Sequence, residues 1–92
     1  MAIKYTKNFL DKLENLFAAS SYHLRYEKGN FKSGYCLLKD TKVVIINKYF
    51  PLEGKINALI DILAELDFDP KEFKEKVNQD FLSELRQTTL KF

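Results

Sequence analysis

The side chains best suited to nucleophilic chemistry are the one cysteine, Cys36, and the one histidine, His23. A thiol becomes a good nucleophile when a base such as imidazole lies within hydrogen-bonding distance of it or when another group lowers its pKa. His23 falls on the polar side of an alternating stretch, which predicts a surface position, whereas Cys36 lies in an apolar run, which predicts burial. A thiol buried among Leu and Ile side chains is a poor nucleophile. We therefore expect a surface histidine and a packing cysteine, with a Cys36–His23 dyad across neighbouring strands as the alternative.

Carboxylate pairs offer little more chemistry. Asp61 and Glu65, like Asn57 and Asp61, stand four residues apart and would share one helix face, where such groups usually form the solvated surface. One cysteine cannot form an intrachain disulfide or a multi-cysteine zinc or iron–sulfur site. Phosphate-binding loops, nucleophile elbows and the H-E-x-x-H zinc motif are all missing. The sequence thus predicts no catalytic, cofactor or metal site, and a protein that is not an enzyme.

Residues 22–49 combine basic and aromatic side chains, which is typical of surfaces that stack bases and contact phosphates. The candidate nucleic-acid contacts are Arg25, Tyr26, Lys28 and Lys32. Aromatic residues in strands are more often packing residues. Nucleic-acid binding through this segment is therefore the alternative function, not the leading one.

Composition indicates a globular chain, since 46% of its residues are hydrophobic and 30% are charged. The length of 92 residues is suited to one domain, residues 1–92. The formal net charge of +2 divides into +5 for residues 1–48 and −3 for residues 49–92, which would favour attraction within or between chains. Neither a signal peptide nor a membrane-spanning stretch is recognisable. We expect a cytoplasmic protein without a membrane partner.

Three helices are predicted from apolar residues at three- and four-residue spacing. The first covers residues 5–21, with Thr6 as its N-cap. The second follows Pro51 and is the most apolar. The third begins at Asp69-Pro70, where Phe68 and Phe73 occupy hydrophobic-staple positions. It should run to about Arg86 and bury a stripe of four residues, Phe73, Val77, Phe81 and Leu85.

Strands are predicted between the first two helices. Residues 22–28 alternate between apolar and polar side chains, and Gly29-Asn30 and Ser33-Gly34 mark turns after them. The stretch Y-C-L-L-K-D-T-K-V-V-I-I, residues 35–46, predicts a hairpin. The predicted fold is α+β, in the order α-β-β-β-α-α, with a three-stranded antiparallel meander packed against the helices.

The hairpin is apolar on both faces, which raises the question of what covers them. With Lys39 opposite Lys42, one face carries Cys36, Leu38, Val43 and Ile45, and the other carries Tyr35, Leu37, Val44 and Ile46. If the third helix leaves one face open, the exposed patch would be an interface. We take the second set, Tyr35, Leu37, Val44 and Ile46, as the candidate interface. The predicted function is a non-enzymatic interaction domain that forms a homodimer or docks a protein partner through the sheet.

Three consecutive patterns resemble a known group. The runs G-N-F-K-S-G-Y-C, V-V-I-I-N-K and P-L-E-G-K-I-N-A-L-I-D-I-L, within residues 29–66, look like those of short bacterial proteins of unknown function. The hairpin that ends in I-x-N before a helix also resembles the corresponding hairpin of the ImmA/IrrE peptidases. The helix here has no histidine, and Asn57 with Asp61 would make a poor zinc site. The resemblance implies a hairpin followed by a helix, without peptidase chemistry.

Overall fold

The computed structural model describes residues 3–28 and 35–88. Over these residues the chain forms three α-helices, three strands and one short 3₁₀ helix. The helices are α1 (Lys7–Ala19), α2 (Leu52–Leu66) and α3 (Lys76–Thr88). The strands are β1 (His23–Glu27), β2 (Tyr35–Leu38) and β3 (Val43–Asn47), and the 3₁₀ helix covers Pro70–Glu72. The α+β class is therefore confirmed, whereas the predicted turns at residues 29–34 lie outside the described residues.

Helix α1 begins and ends at hydroxyl caps. The Thr6 hydroxyl accepts a hydrogen bond from the amide of Phe9 at 3.2 Å, as predicted. At the other end the Ser20 hydroxyl donates to the Phe17 carbonyl at 2.7 Å and accepts from the Tyr22 amide at 3.1 Å. Ser20 thus satisfies a free carbonyl of the last turn and directs the chain into β1. The helix is shorter than the predicted 5–21 because these caps compete with further helical hydrogen bonds.

The sheet is not the predicted antiparallel meander. Its strand order is β1-β3-β2: β3 lies in the centre, antiparallel to β2 and parallel to β1. The hairpin register is the predicted one, with Leu38 opposite Val43 and Tyr35 opposite Ile46. The error concerns only the first strand, which pairs with β3 and not with β2. The most apolar strand, β3, thus takes the central position, and the half-polar β1 takes an edge.

The end of β1 and the start of β2 lie at the same end of the sheet. Glu27 is level with Asn47, and Tyr35 is level with Ile46. The two strands are separated by the width of β3, roughly 9.5 Å between outer strands.

One hydrophobic core lies between the sheet and the helices. Helices α1 and α2 pack on one face of the sheet, the inner face, and α3 packs against α1 and the 3₁₀ helix without covering the sheet. The sheet and all three α-helices contribute fully buried side chains, among them Phe17, Ile46, Leu63 and Leu82. Helix α2, which was predicted to be the most apolar, buries Ile56, Leu59, Ile60 and Leu63, and Leu66 is partly buried.

The third helix does not run continuously from Pro70. Asp69 caps the 3₁₀ helix, accepting from the Lys71 amide at 3.0 Å, and the backbone then becomes extended at Phe73 before α3 starts at Lys76. The break lets Phe68 and Phe73 pack edge to face, with ring centroids 5.8 Å apart. Three residues of the predicted stripe, Phe73, Phe81 and Leu85, are buried, but Val77 is 66% exposed in the first turn of α3.

Candidate interaction surfaces of the sheet

The predicted interface residues lie on the covered side of the sheet. Val44 and Ile46 are 0% exposed, and Tyr35 and Leu37 are partly buried and pack against the same core. The two fully buried side chains, Val44 and Ile46, are therefore not available to a partner in the folded protein. The candidate interface must therefore be moved to the opposite face.

The opposite face of the sheet, which we term the outer face, carries an apolar row beside a charged edge. Because β2 and β3 are in register, four apolar side chains share this face: Cys36, Leu38, Val43 and Ile45. Leu38 is 42% exposed and the other three are partly exposed. The register of β1 adds His23, Arg25 and Glu27 to the same face. No helix within residues 3–28 or 35–88 packs over this row.

A signal in the sequence identifies this face. His23, Arg25 and Glu27 are the polar side of β1, and Asn47 is the polar end of β3 on the same face. A sheet buries its apolar side and presents its polar side to solvent. Ile45 and Val43 lie two and four residues before Asn47, so their side chains share its face of the strand. They could therefore have been predicted to lie on the outer face.

The candidate nucleic-acid contacts do not form one platform. Arg25 is exposed on the outer face, where its guanidinium lies 3.3 Å from a carboxylate oxygen of Glu27. Tyr26 points the other way and is half-buried against the helices. Lys28 is exposed just beyond β1, and Lys32 lies outside the described residues. The outer-face residues within β1, β2 and β3 include no Phe, Tyr or Trp, so His23 is the one ring in these strands that could stack on a base from this face.

Tyr26 joins β1 to helix α1. Its hydroxyl donates a hydrogen bond to the Glu14 carboxylate, and the Lys55 ammonium lies 5.2 Å from its ring centroid. Burial raises the pKa of the Tyr26 phenol above its ordinary value of 10.0, and the Glu14 hydrogen bond and the charges of Glu14 and Asp11 raise it further. All of these effects favour the protonated phenol in the folded state.

This pair gives a pH-dependent contribution to stability. Since the pKa is higher in the folded state, the contribution is complete below pH 10 and is lost as the pH rises above that value. We expect Tyr26→Phe to lower the free energy of unfolding by about 1 kcal/mol at pH 8, because a hydrogen bond to a carboxylate is removed. The difference from wild type should shrink above pH 10.

Urea denaturation at several pH values between 8 and 11 measures this difference directly. Tyr49→Phe serves as the control, since Tyr49 is 68% exposed. A Tyr26→Phe difference that stays constant with pH would contradict the prediction.

The remaining candidate groups are dispersed. His23 is exposed, as predicted, whereas Cys36 is only partly buried. Both lie on the outer face, but β3 separates their strands, so the dyad across neighbouring strands does not form. Asn57 accepts a hydrogen bond from the Tyr5 hydroxyl at 2.9 Å. Within the described part of the chain, no three His, Cys, Asp or Glu side chains converge as a metal site would require.

Comparisons with known proteins add no relative. No family model, curated protein or solved structure matches this chain. The resemblances to the short bacterial proteins and to the ImmA/IrrE hairpin therefore stay predictions. Among the described helices, none combines the length and apolar character needed to cross a membrane.

Proposed function

We propose that this chain is a small, non-enzymatic interaction domain that forms a homodimer through the outer face of its sheet. The observation that carries the proposal is the apolar row Cys36, Leu38, Val43 and Ile45, which the described helices leave uncovered. Contiguous apolar surface of this kind, bordered by polar residues, is typical of protein–protein contacts. The expected cytoplasmic setting belongs to the same proposal, since it would keep Cys36 as a thiol.

A second copy fits this face because the charges on it balance. Arg25 and Glu27 lie side by side on the same strand and contribute opposite charges. Two identical surfaces related by a two-fold axis therefore meet without excess charge of one sign. The apolar row occupies the central strand β3 and the edge strand β2, so it would form the main part of the contact, with the charges of β1 along one side.

The area of the outer face limits the expected affinity of the dimer. Three strands of four or five residues cover roughly 14 × 16 Å, well below the roughly 800 Å² per partner of a stable interface. The sheet face alone should therefore support only a weak dimer, with Kd on the order of 10–1,000 μM. The dimer would form at high local concentration or be completed by residues beyond the sheet.

Sedimentation velocity between 10 μM and 1 mM tests this proposal, with Ile45→Glu as the matched variant. Glutamate at this position would face Arg25 across the strand pair, so the variant should stay folded while losing the apolar centre. We expect wild type to show a concentration-dependent rise in sedimentation coefficient and Ile45→Glu to remain monomeric. A wild type that stays monomeric at 1 mM would overturn the homodimer, and an unchanged dimer of Ile45→Glu would overturn the assigned face.

Nucleic-acid binding has less support, because Tyr26 is engaged by Glu14 and Lys55 and the outer face holds no Phe, Tyr or Trp in its strands. Titration with single-stranded RNA at low salt would decide the question. Salt-sensitive binding that weakens on Arg25→Ala would favour it over self-association.

A further inference from the structure

The outer edge of β1 carries main-chain hydrogen-bonding groups that the sheet does not use. The His23 amide donates to the Lys42 carbonyl at 2.8 Å, and the Glu27 carbonyl accepts from the Lys48 amide at 3.1 Å, so both residues direct their main-chain groups toward β3. Along a strand these directions alternate, so Leu24 and Tyr26 direct theirs away from β3. Within residues 3–28 and 35–88, no strand lies on that side of β1.

A groove of about 460 Å³ runs beside this edge, between β1 and helix α1. Leu24 and Tyr26 contribute one wall, and Glu14 and Ala18 contribute the helical wall. Ser20 and Ser21 close the end where α1 turns into β1. An edge strand beside a helix offers two kinds of contact, since main-chain hydrogen bonds form along the strand and alternate side chains pack against the helix.

Charge in the groove indicates the chemistry of the occupant. One carboxylate oxygen of Glu14 accepts from the Tyr26 hydroxyl. No Lys or Arg side chain of the described residues forms an ion pair with this carboxylate. Asp11 lies one turn earlier on the same side of α1 and adds negative charge. A cationic side chain placed beside Ala18 would therefore meet an acidic wall.

A second copy of β1 meets like charges at this edge when the pairing is centred on Arg25. Antiparallel pairing that joins Leu24 to Tyr26 of the other copy across a two-fold axis would place the two Arg25 side chains opposite each other. The same symmetry would put both α1 helices on one side of the joined sheet, with Asp11 and Glu14 facing their counterparts. A pairing centred on Tyr26 would relieve the first contact, because it places Arg25 opposite Glu27 of the other copy, but it keeps the acidic helices together, whereas a foreign strand avoids both contacts.

We propose that the groove binds an extended segment of another protein, which adds to β1 as a fourth strand and places a Lys or Arg against Glu14. This site is separate from the outer face, because it uses the main chain of β1 and the side chains that face α1. The partner segment would carry one small apolar and one basic residue, two positions apart. In an extended strand both side chains then lie on the face toward α1.

The probe for the first experiment is the peptide acetyl-Ser-Val-Thr-Lys-Ser-amide, titrated into ¹⁵N-labelled protein. We expect saturable amide shifts at Leu24 and Tyr26. Two N-methylated forms, one modified at Val and Lys and the other at Thr and the final Ser, block opposite edges of the peptide strand. One form should lose binding at least tenfold and the other should retain it, because only one edge can face β1.

Binding that is equal for the two N-methylated forms, or shifts that avoid Leu24 and Tyr26, would overturn the proposal. Protection of these two amides that grows with protein concentration in the absence of peptide would show that a second copy occupies the edge, which would also overturn it.

Variants of the protein test the two contacts separately. Leu24→Pro removes an amide that points away from β3, so it blocks the edge without breaking the β1–β3 ladder. Leu24→Ala loses the same packing but keeps the amide, so it should bind at least tenfold more tightly than Leu24→Pro. Equal binding of the two would contradict the proposal. If Leu24→Pro shows no cooperative melting, the N-methylated peptides decide the question on wild type.

The charge contact is tested by Glu14→Gln, which keeps an acceptor for the Tyr26 hydroxyl. It should weaken binding of the Lys peptide about threefold, as expected for a partly exposed ion pair. The corresponding peptide with Glu in place of Lys should bind wild type still more weakly. Unchanged affinity in both comparisons would remove Glu14 from the site.

Discussion

Ile46→Glu is expected to unfold the protein under conditions in which Ile45→Glu leaves it folded. The two residues are neighbours in β3, yet Ile46 is 0% exposed among the helices, whereas Ile45 lies on the outer face. Glutamate at position 46 loses the burial of a large apolar side chain and places a carboxylate in the core without a partner. We expect a loss above about 4 kcal/mol. This is comparable with the roughly 5–14 kcal/mol available to a chain of this length.

Position 45 differs in both respects. The side chain there is partly exposed already, and its neighbour across the β1–β3 pair is Arg25. The loss of apolar contacts with Cys36 is offset in part by the new charge pair, so we expect a change of about 1 kcal/mol or less. Far-ultraviolet circular dichroism with urea denaturation compares the two variants. A folded Ile46→Glu together with an unfolded Ile45→Glu would mean that the helices cover the other face of the sheet.

The alternation of side chains along each strand explains how much of the sheet could be predicted from the sequence. The register of the hairpin was predictable because the strands are short and joined by a four-residue turn that fixes which residues lie opposite. The pairing of β1 was not. The side chains of Leu24 and Tyr26 would face the helices whether β1 pairs with β2 or with β3. Alternation therefore determines which side of β1 faces the core, but it does not determine which strand lies next to β1.

The candidate interface was misplaced for a related reason. Both faces of the hairpin are apolar, so composition alone does not indicate which one the helices cover. Only the register between β1 and β3 connects the polar side of β1, including Arg25, with Val43 and Ile45. The groove beside β1 was beyond local prediction as well, because it depends on where α1 packs relative to the free edge of β1.

The position of α3 was predicted from its strongest local signal, and that signal was misleading. Asp69-Pro70 does cap a helical turn, as Asp69 was expected to do. The turn ends at Phe73, whose carbonyl accepts a hydrogen bond from the side-chain amide of Gln79 at 2.6 Å. Packing of Phe73 and Phe68 against α1 outweighs the propensity of the segment to continue as a helix. Tertiary packing therefore sets the face that α3 buries.

Leu82→Ala should accordingly be far more damaging than Val77→Ala. Leu82 is 0% exposed although it lies outside the predicted stripe, and Val77 is 66% exposed although it lies within it. Removing the buried Leu82 side chain should cost about 2–5 kcal/mol, through lost apolar burial and the cavity left behind. Val77→Ala should stay within about 0.5 kcal/mol, since alanine is the better helix former and little packing is lost.

Urea denaturation of both variants measures the two free energies, with Phe81→Leu as an intermediate case that preserves an apolar side chain beside Phe9. The reverse order, with Val77→Ala the more costly change, would mean that α3 buries the side that contains Val77. The comparison therefore tests, through side-chain burial, which side of α3 meets the core.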